Sequence, residues 1–168
     1  MTPYIRQLNV GDAKDYRAIR LEALKAFPQA YGATYAQAVK QPIGAFTQTL
    51  EQAVLFGAFD GDELCGIVCF VACEGAQDNH IGHLYQMFVK PGLQGRGVGL
   101  ALIKQLFEYA RPIVRQVHLG VGTNNHSALA LYKKAGFEIY GTEPRALCVK
   151  GTYIDEHLMV KFLDSKDN

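Results

Sequence analysis

Residues 89–103 read VKPGLQGRGVGLALI, and this stretch decides the fold. Four glycines fall in the eight residues from Gly92 to Gly99, with Arg96 among them and an apolar run directly after. Upstream, HIGHLYQMFVK reads as a strand stopped by Pro91. Downstream, Val98 to Tyr109 has helical spacing, with Leu102, Leu106 and Tyr109 on one stripe. Glycines between a strand and a helix remove the Cβ atoms that would hold a ligand away from the backbone. The first turn of a helix offers amide donors with no intrahelical acceptor, and its dipole adds partial positive charge. Such a loop suits a diphosphate, with Arg96 adding charge at the rim.

Two common diphosphate loops fail on spacing. Gly92 and Gly97 have the separation of a P-loop, but Val98 and Gly99 stand where its lysine and hydroxyl are needed. A dinucleotide fingerprint on Gly95 and Gly97 requires a small residue where Leu100 stands, and it belongs early in a βαβ unit.

The remainder reads as one mixed α/β domain over residues 4–164. Tyr4 to Leu8 is a short strand, and a helix capped by Asp12 runs to Phe27 with Tyr16, Ile19 and Ala23 on one face. Ile43, Phe46 and Leu50 mark a second helix, after a loop carrying Tyr31 and Tyr35. AVLFGAFD and ELCGIVCFVAC flank Asp60-Gly61-Asp62 as a hairpin. RQVHLGVG is a strand, Ser127 to Ala135 a helix closed by Gly136, and Phe137 to Tyr140 and Tyr153 to Phe162 the last strands.

The 168 residues are 49% hydrophobic and 20% charged, which suits a globular domain of ordinary size. Seventeen basic and sixteen acidic residues give a net charge of +1, whereas nucleic-acid binding favours a basic face. The opening MTPYIRQLNVGD lacks the order of a signal peptide, and no apolar run has bilayer-spanning length, so a cytoplasmic protein with no membrane partner is expected. Cys65, Cys69 and Cys73 are expected on one strand face as free thiols, with Cys148 apart, in a reducing compartment. No ligand spacing points to a metal; His118 is read as a strand residue and His126 as a turn residue.

Gln94-Gly95-Arg96-Gly97-Val98-Gly99 matches the pattern Q/R-x-x-G-x-G/A, and here the chain resembles the GNAT N-acetyltransferase superfamily, which binds acetyl-CoA. TNNHSALALYKKAGF strengthens the resemblance through Asn125, Ala128, Leu131, Tyr132, Gly136 and Phe137. The likeness runs in element order from about Ile5 to Leu163. It implies a GNAT-like α/β fold, with a mostly antiparallel twisted sheet, splayed central strands and flanking helices.

It also implies direct transfer of acetyl from acetyl-CoA to a primary amine. The amides of Gln94, Gly95, Arg96, Gly97, Val98, Gly99 and Leu100 would hold the diphosphate. Met87, Phe88 and Val89 would pair with the pantetheine arm, with an amide near Phe88 facing the oxyanion, and Asn125 would contact the arm. Tyr132 would be the general acid, since an ordinary phenol stays protonated at neutral pH. Many relatives carry a glutamate base on the strand before the loop, where this chain has Tyr85 and Gln86. Glu22, His83, Asp155, Glu156 or a water then stand for the base. Asp155 and Glu156 would draw a cationic amine and Arg145 a carboxylate. The acceptor stays open among amino acids, polyamines and peptide or protein amines, and a homodimer through edge strands is allowed. A non-catalytic acyl-CoA sensor would use the same loop without the acid.

Overall fold

Near-continuous apolar runs in the middle of the chain need cover on both sheet faces, and the amphipathic stretches before and after them supply that cover. In the computed structural model, residues 2–164 are described. The strands are β1 (Tyr4–Gln7), β2 (Val54–Asp60), β3 (Glu63–Ala72), β4 (Ile81–Val89), β5 (Gln116–Gly122), β6 (Glu138–Val149) and β7 (Thr152–Phe162). The helices are α1 (Ala13–Ala26), α2 (Tyr35–Ala38), α3 (Ile43–Gln52), α4 (Val98–Ala110) and α5 (His126–Lys134). One sheet runs β1-β2-β3-β4-β5-β7-β6, antiparallel at every step except the parallel β4–β5 pair. Among the described residues no helix is long and apolar enough to cross a membrane.

Leu102, Ile103 and Leu106 of α4 bury against Val68, Phe70 and Val117 on one face. Ile19 and Ala23 of α1, with Phe46 and Leu50 of α3, bury against Leu55, Ile67 and Cys69 on the other. Each fully buried aliphatic or phenyl side chain contributes about 2 kcal/mol.

The strand-face assignment of the cysteines is corrected by a bulge. Where Ala58 and Phe59 of β2 face Gly66 and Leu64 of β3, one extra residue, Cys65, is inserted. An inserted residue reverses the side-chain alternation beyond it. Cys65 therefore packs on the α4 side, where its thiol donates to the Ala58 carbonyl at 3.1 Å, while Cys69 packs on the α1 side and Cys73 lies past the end of β3. All four cysteines are free. β6 also extends well beyond Tyr140. Its Pro144 and left-handed Arg145 (φ 52°) sit in an irregular stretch of an edge strand, the place where a sheet tolerates a residue that cannot donate.

A second bulge positions the site. Between the Ile67–Phe88 and Cys69–Tyr85 pairs, β4 carries an extra residue, and Gln86 is left-handed there (φ 54°). Bulges bend and twist a strand. β4 meets β5 only through Ile81, Gly82 and His83, whereas β5 stays paired with β7 from Gln116 to Gly122. Beyond His83 the sheet opens between β4 and β5.

The start of α1 differs from the expectation of an Asp12 cap. Asn9 caps the chain, its side chain accepting from the Gly11 amide at 2.8 Å ahead of a short 3-10 turn over Val10–Asp12. The Asp12 carboxylate accepts from the Asn9 amide and, through both oxygens, from Arg6, each at 2.8 Å. The hydrogen-bonded Arg6 guanidinium holds the Asp12 carboxyl below the usual carboxylate range. A depressed folded pKa stabilises the fold fully above the unfolded value near pH 4, and the gain is lost as pH falls toward the folded value. Asp12→Ala is expected to cost about 1–2 kcal/mol in urea unfolding at pH 7. The gap to wild type should close as the pH is lowered below about 4.

Candidate active site

The chain leaves β4 at Val89, makes a 3-10 turn over Pro91–Leu93 and enters α4 at Val98. The Gln94 side-chain amide donates to the Val89 carbonyl at 3.0 Å and ties the loop to the strand end. Gly95 and Gly97 have φ of 76° and 82°, in the left-handed region that a Cβ disfavours. The first backbone bond into the helix runs from the Ala101 amide to the Gly97 carbonyl, at 3.0 Å. Among the described residues, the amides from Gly95 to Leu100 keep no protein acceptor. A Cβ on Gly99 would come within 3.0 Å of both Met87 and Leu131, so the bare glycine sets how closely α4 approaches β4 and α5.

Gly95, Gly97, Gly99 and Leu100 line a cavity of about 950 Å³ that occupies the opening between β4 and β5. Met87, Phe88 and Val89 contribute to one wall, Gly120 to Gly122 to the other, and Gln94 and Asn125 also line it. Phe88 and Val89 bury their side chains in the two cores, which leaves their backbone for the cavity. Two predicted holding residues present no side chain to it. Val98 is buried in the core, and Arg96 stays exposed outside the lining. Asn125 is partly committed, because its Oδ1 accepts from the Ala128 amide at 3.2 Å and caps α5, leaving its side-chain N–H groups to donate.

Tyr132 is buried on α5, edge-on to Phe137, and lines the same cavity. Burial, and then the neighbouring Tyr31, push its hydroxyl well above the ordinary phenol range, so it is protonated at neutral pH.

The rest of the lining is built by residues outside the two motifs. The Tyr31 hydroxyl donates to the Met87 carbonyl at 2.8 Å, fastening the loop after α1 to the bulge. Tyr16 donates to the Gln86 side chain at 2.7 Å and orients it. Among the described residues, charged lining residues are few: Arg20 from α1, Lys134 from the end of α5, and Glu156 from β7. Glu156 is half-buried beside Gly120, and burial, then Glu143, raises its carboxyl above the usual range.

The remaining expected candidates lie elsewhere. Glu22 shares Lys90 with Glu63, at 3.8 and 2.7 Å. His83 stacks on Tyr85 outside the cavity, and burial lowers its pKa. His118 contacts Gln116 at 2.7 Å. Asp155 accepts from the Arg145 amide at 2.7 Å, and the Arg145 guanidinium lies over Tyr153 at 4.8 Å, so neither reaches the cavity. Arg20 went unnoticed in the sequence because a charged residue on a helix is normally solvated. Its signal was the i, i+4 spacing from Tyr16 on the apolar face of α1.

The model of the Acetyltransferase (GNAT) family matches residues 16–137. The chain is 28% identical over 160 residues to the L-amino acid N-acetyltransferase AaaT of Escherichia coli, covering 90% of this chain and 94% of that one. It spans only 39%, 39% and 31% of the length of three other curated relatives it matches. A GNAT-family acetyltransferase structure from Streptococcus pneumoniae superposes with a TM-score of 0.84 at 25% identity, over 95% of this chain and 99% of the other. The structure of yncA from Salmonella typhimurium with its cofactor acetyl-CoA shares the fold, with a TM-score of 0.80 at 16% identity, over 100% and 98% of the two chains. With its splayed sheet, its glycine loop and a family match across most of its length, this chain belongs to the GNAT acetyltransferase family.

Proposed function

We propose that this chain is an acetyl-CoA-dependent N-acetyltransferase that moves the acetyl group directly onto a primary amine. One observation carries the reading: the unpaired amides that open α4 face the same cavity as Tyr132 and Glu156. The residues fit acetyl-CoA. Amides at a helix start suit its diphosphate, and the strand edge left open beyond His83 suits a peptide-like arm.

Three tasks then fall to protein groups. Glu156 takes the proton from the incoming ammonium, and its raised pKa makes it a better base at neutral pH than an exposed carboxylate. A backbone amide near Phe88 steadies the charge that develops on the carbonyl oxygen, a contribution of about 3 kcal/mol to the barrier. Tyr132 gives its proton to the departing thiolate and is reprotonated from solvent. The other reading, a sensor that only holds acyl-CoA, predicts binding of acetyl-CoA without thiol release in the presence of any amine.

Tyr132→Phe is expected to lower kcat about 100-fold while the acetyl-CoA Kd, measured by calorimetry, stays put. An unchanged kcat removes the acid. Glu156→Gln should lose about 100-fold in kcat/KM at pH 7 and recover toward wild type as the pH is raised, since solvent then deprotonates the amine. A deficit independent of pH would argue against a base. Gly97→Ala, forced into the left-handed region, should lose about 1–2 kcal/mol of stability and bind acetyl-CoA more weakly in the same titration.

A further inference from the structure

Arg20 presents an unsolved charge. It lies on the buried face of α1 with Tyr16, Ile19 and Ala23, and only 9% of its surface is exposed. Its guanidinium stacks over the Tyr31 ring at 4.7 Å. Nη1 is fully buried and has no hydrogen-bond partner, the only such side-chain nitrogen or oxygen among the described residues. Among the described residues no carboxylate pairs with it. Its near neighbours Tyr16, Tyr31 and Cys69 offer no anion at neutral pH, because burial pushes each of them up to about 12. A guanidinium does not lose its proton in a protein, so the buried positive charge persists. An uncompensated buried charge is strongly unfavourable, and a native structure that keeps one calls for an explanation.

Two placements supply the explanation. Arg20 lines the cavity beside the β4 bulge, where the bonds of Tyr16 to Gln86 and Tyr31 to Met87 fix its surroundings. Glu156, the only acidic residue in the lining among the described residues, comes from β7 and makes no ion pair with Arg20. The lining thus holds a cationic and an anionic side chain that do not pair with each other.

We propose that Arg20 receives the carboxylate of the acceptor, so that the substrate is a free amino acid. This rests on the acetyl-transfer reading above and narrows it. A guanidinium offers a planar pair of donors that matches a carboxylate, and a charge-assisted contact of this kind is strong in a dry site. A polyamine would place a cation against Arg20. A peptide N-terminus would bring a neutral amide there, whose carbonyl accepts a hydrogen bond but leaves the charge of the guanidinium without a counter-ion.

The test follows thiol release from acetyl-CoA with the wild-type protein and the twenty amino acids, each beside its carboxamide and its decarboxylated amine. At least one amino acid should be turned over with kcat/KM about 100-fold above its carboxamide, because a site built to bond a group rejects the analogue lacking it. Arg20→Gln should collapse that ratio toward one, mainly through KM for the acid, with the acetyl-CoA Kd unaltered. A carboxamide or a decarboxylated amine that equals or surpasses the acid overturns the assignment. So does an Arg20→Gln protein that slows acid and carboxamide by the same factor. Should that variant fail to fold, the wild-type ratio decides alone. Turnover of carboxylate-free amines only would sink the role of Arg20 and leave acetyl transfer standing. Binding of acetyl-CoA with no turnover of any amine would sink the transfer reading itself.

Discussion

The parting of β4 from β5 is the constraint on which the rest of this molecule depends. Two parallel strands that pair over three residues and then diverge expose backbone groups inside a sheet, a condition folded proteins normally avoid. The bulge at Gln86 bends β4 away, and β5 keeps a full complement of bonds on its other side through β7. Side chains meet part of the exposed backbone. Tyr31 occupies the Met87 carbonyl and Gln94 the Val89 carbonyl. The opening is held apart by specific contacts on both of its banks, and the helices that seal the two faces keep it from collapsing.

The glycine loop takes its position from that geometry. α4 can start close to the opening because Gly99 has no side chain to strike Met87 or Leu131, and the turn before it is possible because Gly95 and Gly97 accept left-handed conformations. Close approach and unpaired amides are then the same feature seen twice. Removing side chains brings the backbone to the cavity, and the helix start provides donors there. Tyr132 reaches this cavity from the far side, packed edge-on against Phe137, so its hydroxyl position is set by the core.

Few charges line this cavity, so each one matters. Exposed pairs such as Lys90 with Glu63 contribute little to the fold. Arg20 and Glu156 are different, because partial removal from water strengthens every interaction they make. The loop that carries Tyr31 touches two parts of the site. Its hydroxyl steadies the bulge, and its ring is the surface on which Arg20 lies.

Local signals were legible wherever the chemistry is local. Gln94 to Gly99 announced a glycine-rich helix start, the block from Asn125 to Phe137 pointed to the family, and most elements fell where their apolar periodicity put them. Those signals survive in one dimension because they depend on neighbours a few residues apart. The two bulges, which moved Cys65 to the other face and opened β4 from β5, depend on how partner strands register, so no residue spacing displays them. The extension of β6 through Pro144 was hidden because only a strand at the edge tolerates it. Glu156 stood among several carboxylates, and Asp155 beside it looked its equal until β7 turned one inward and the other toward Arg145. Arg20 was concealed most fully. By itself the sequence determined the family and the glycine loop that opens α4. Tertiary packing alone decided which charges are stripped of water and line the same cavity, because desolvation is a property of what surrounds a residue in space.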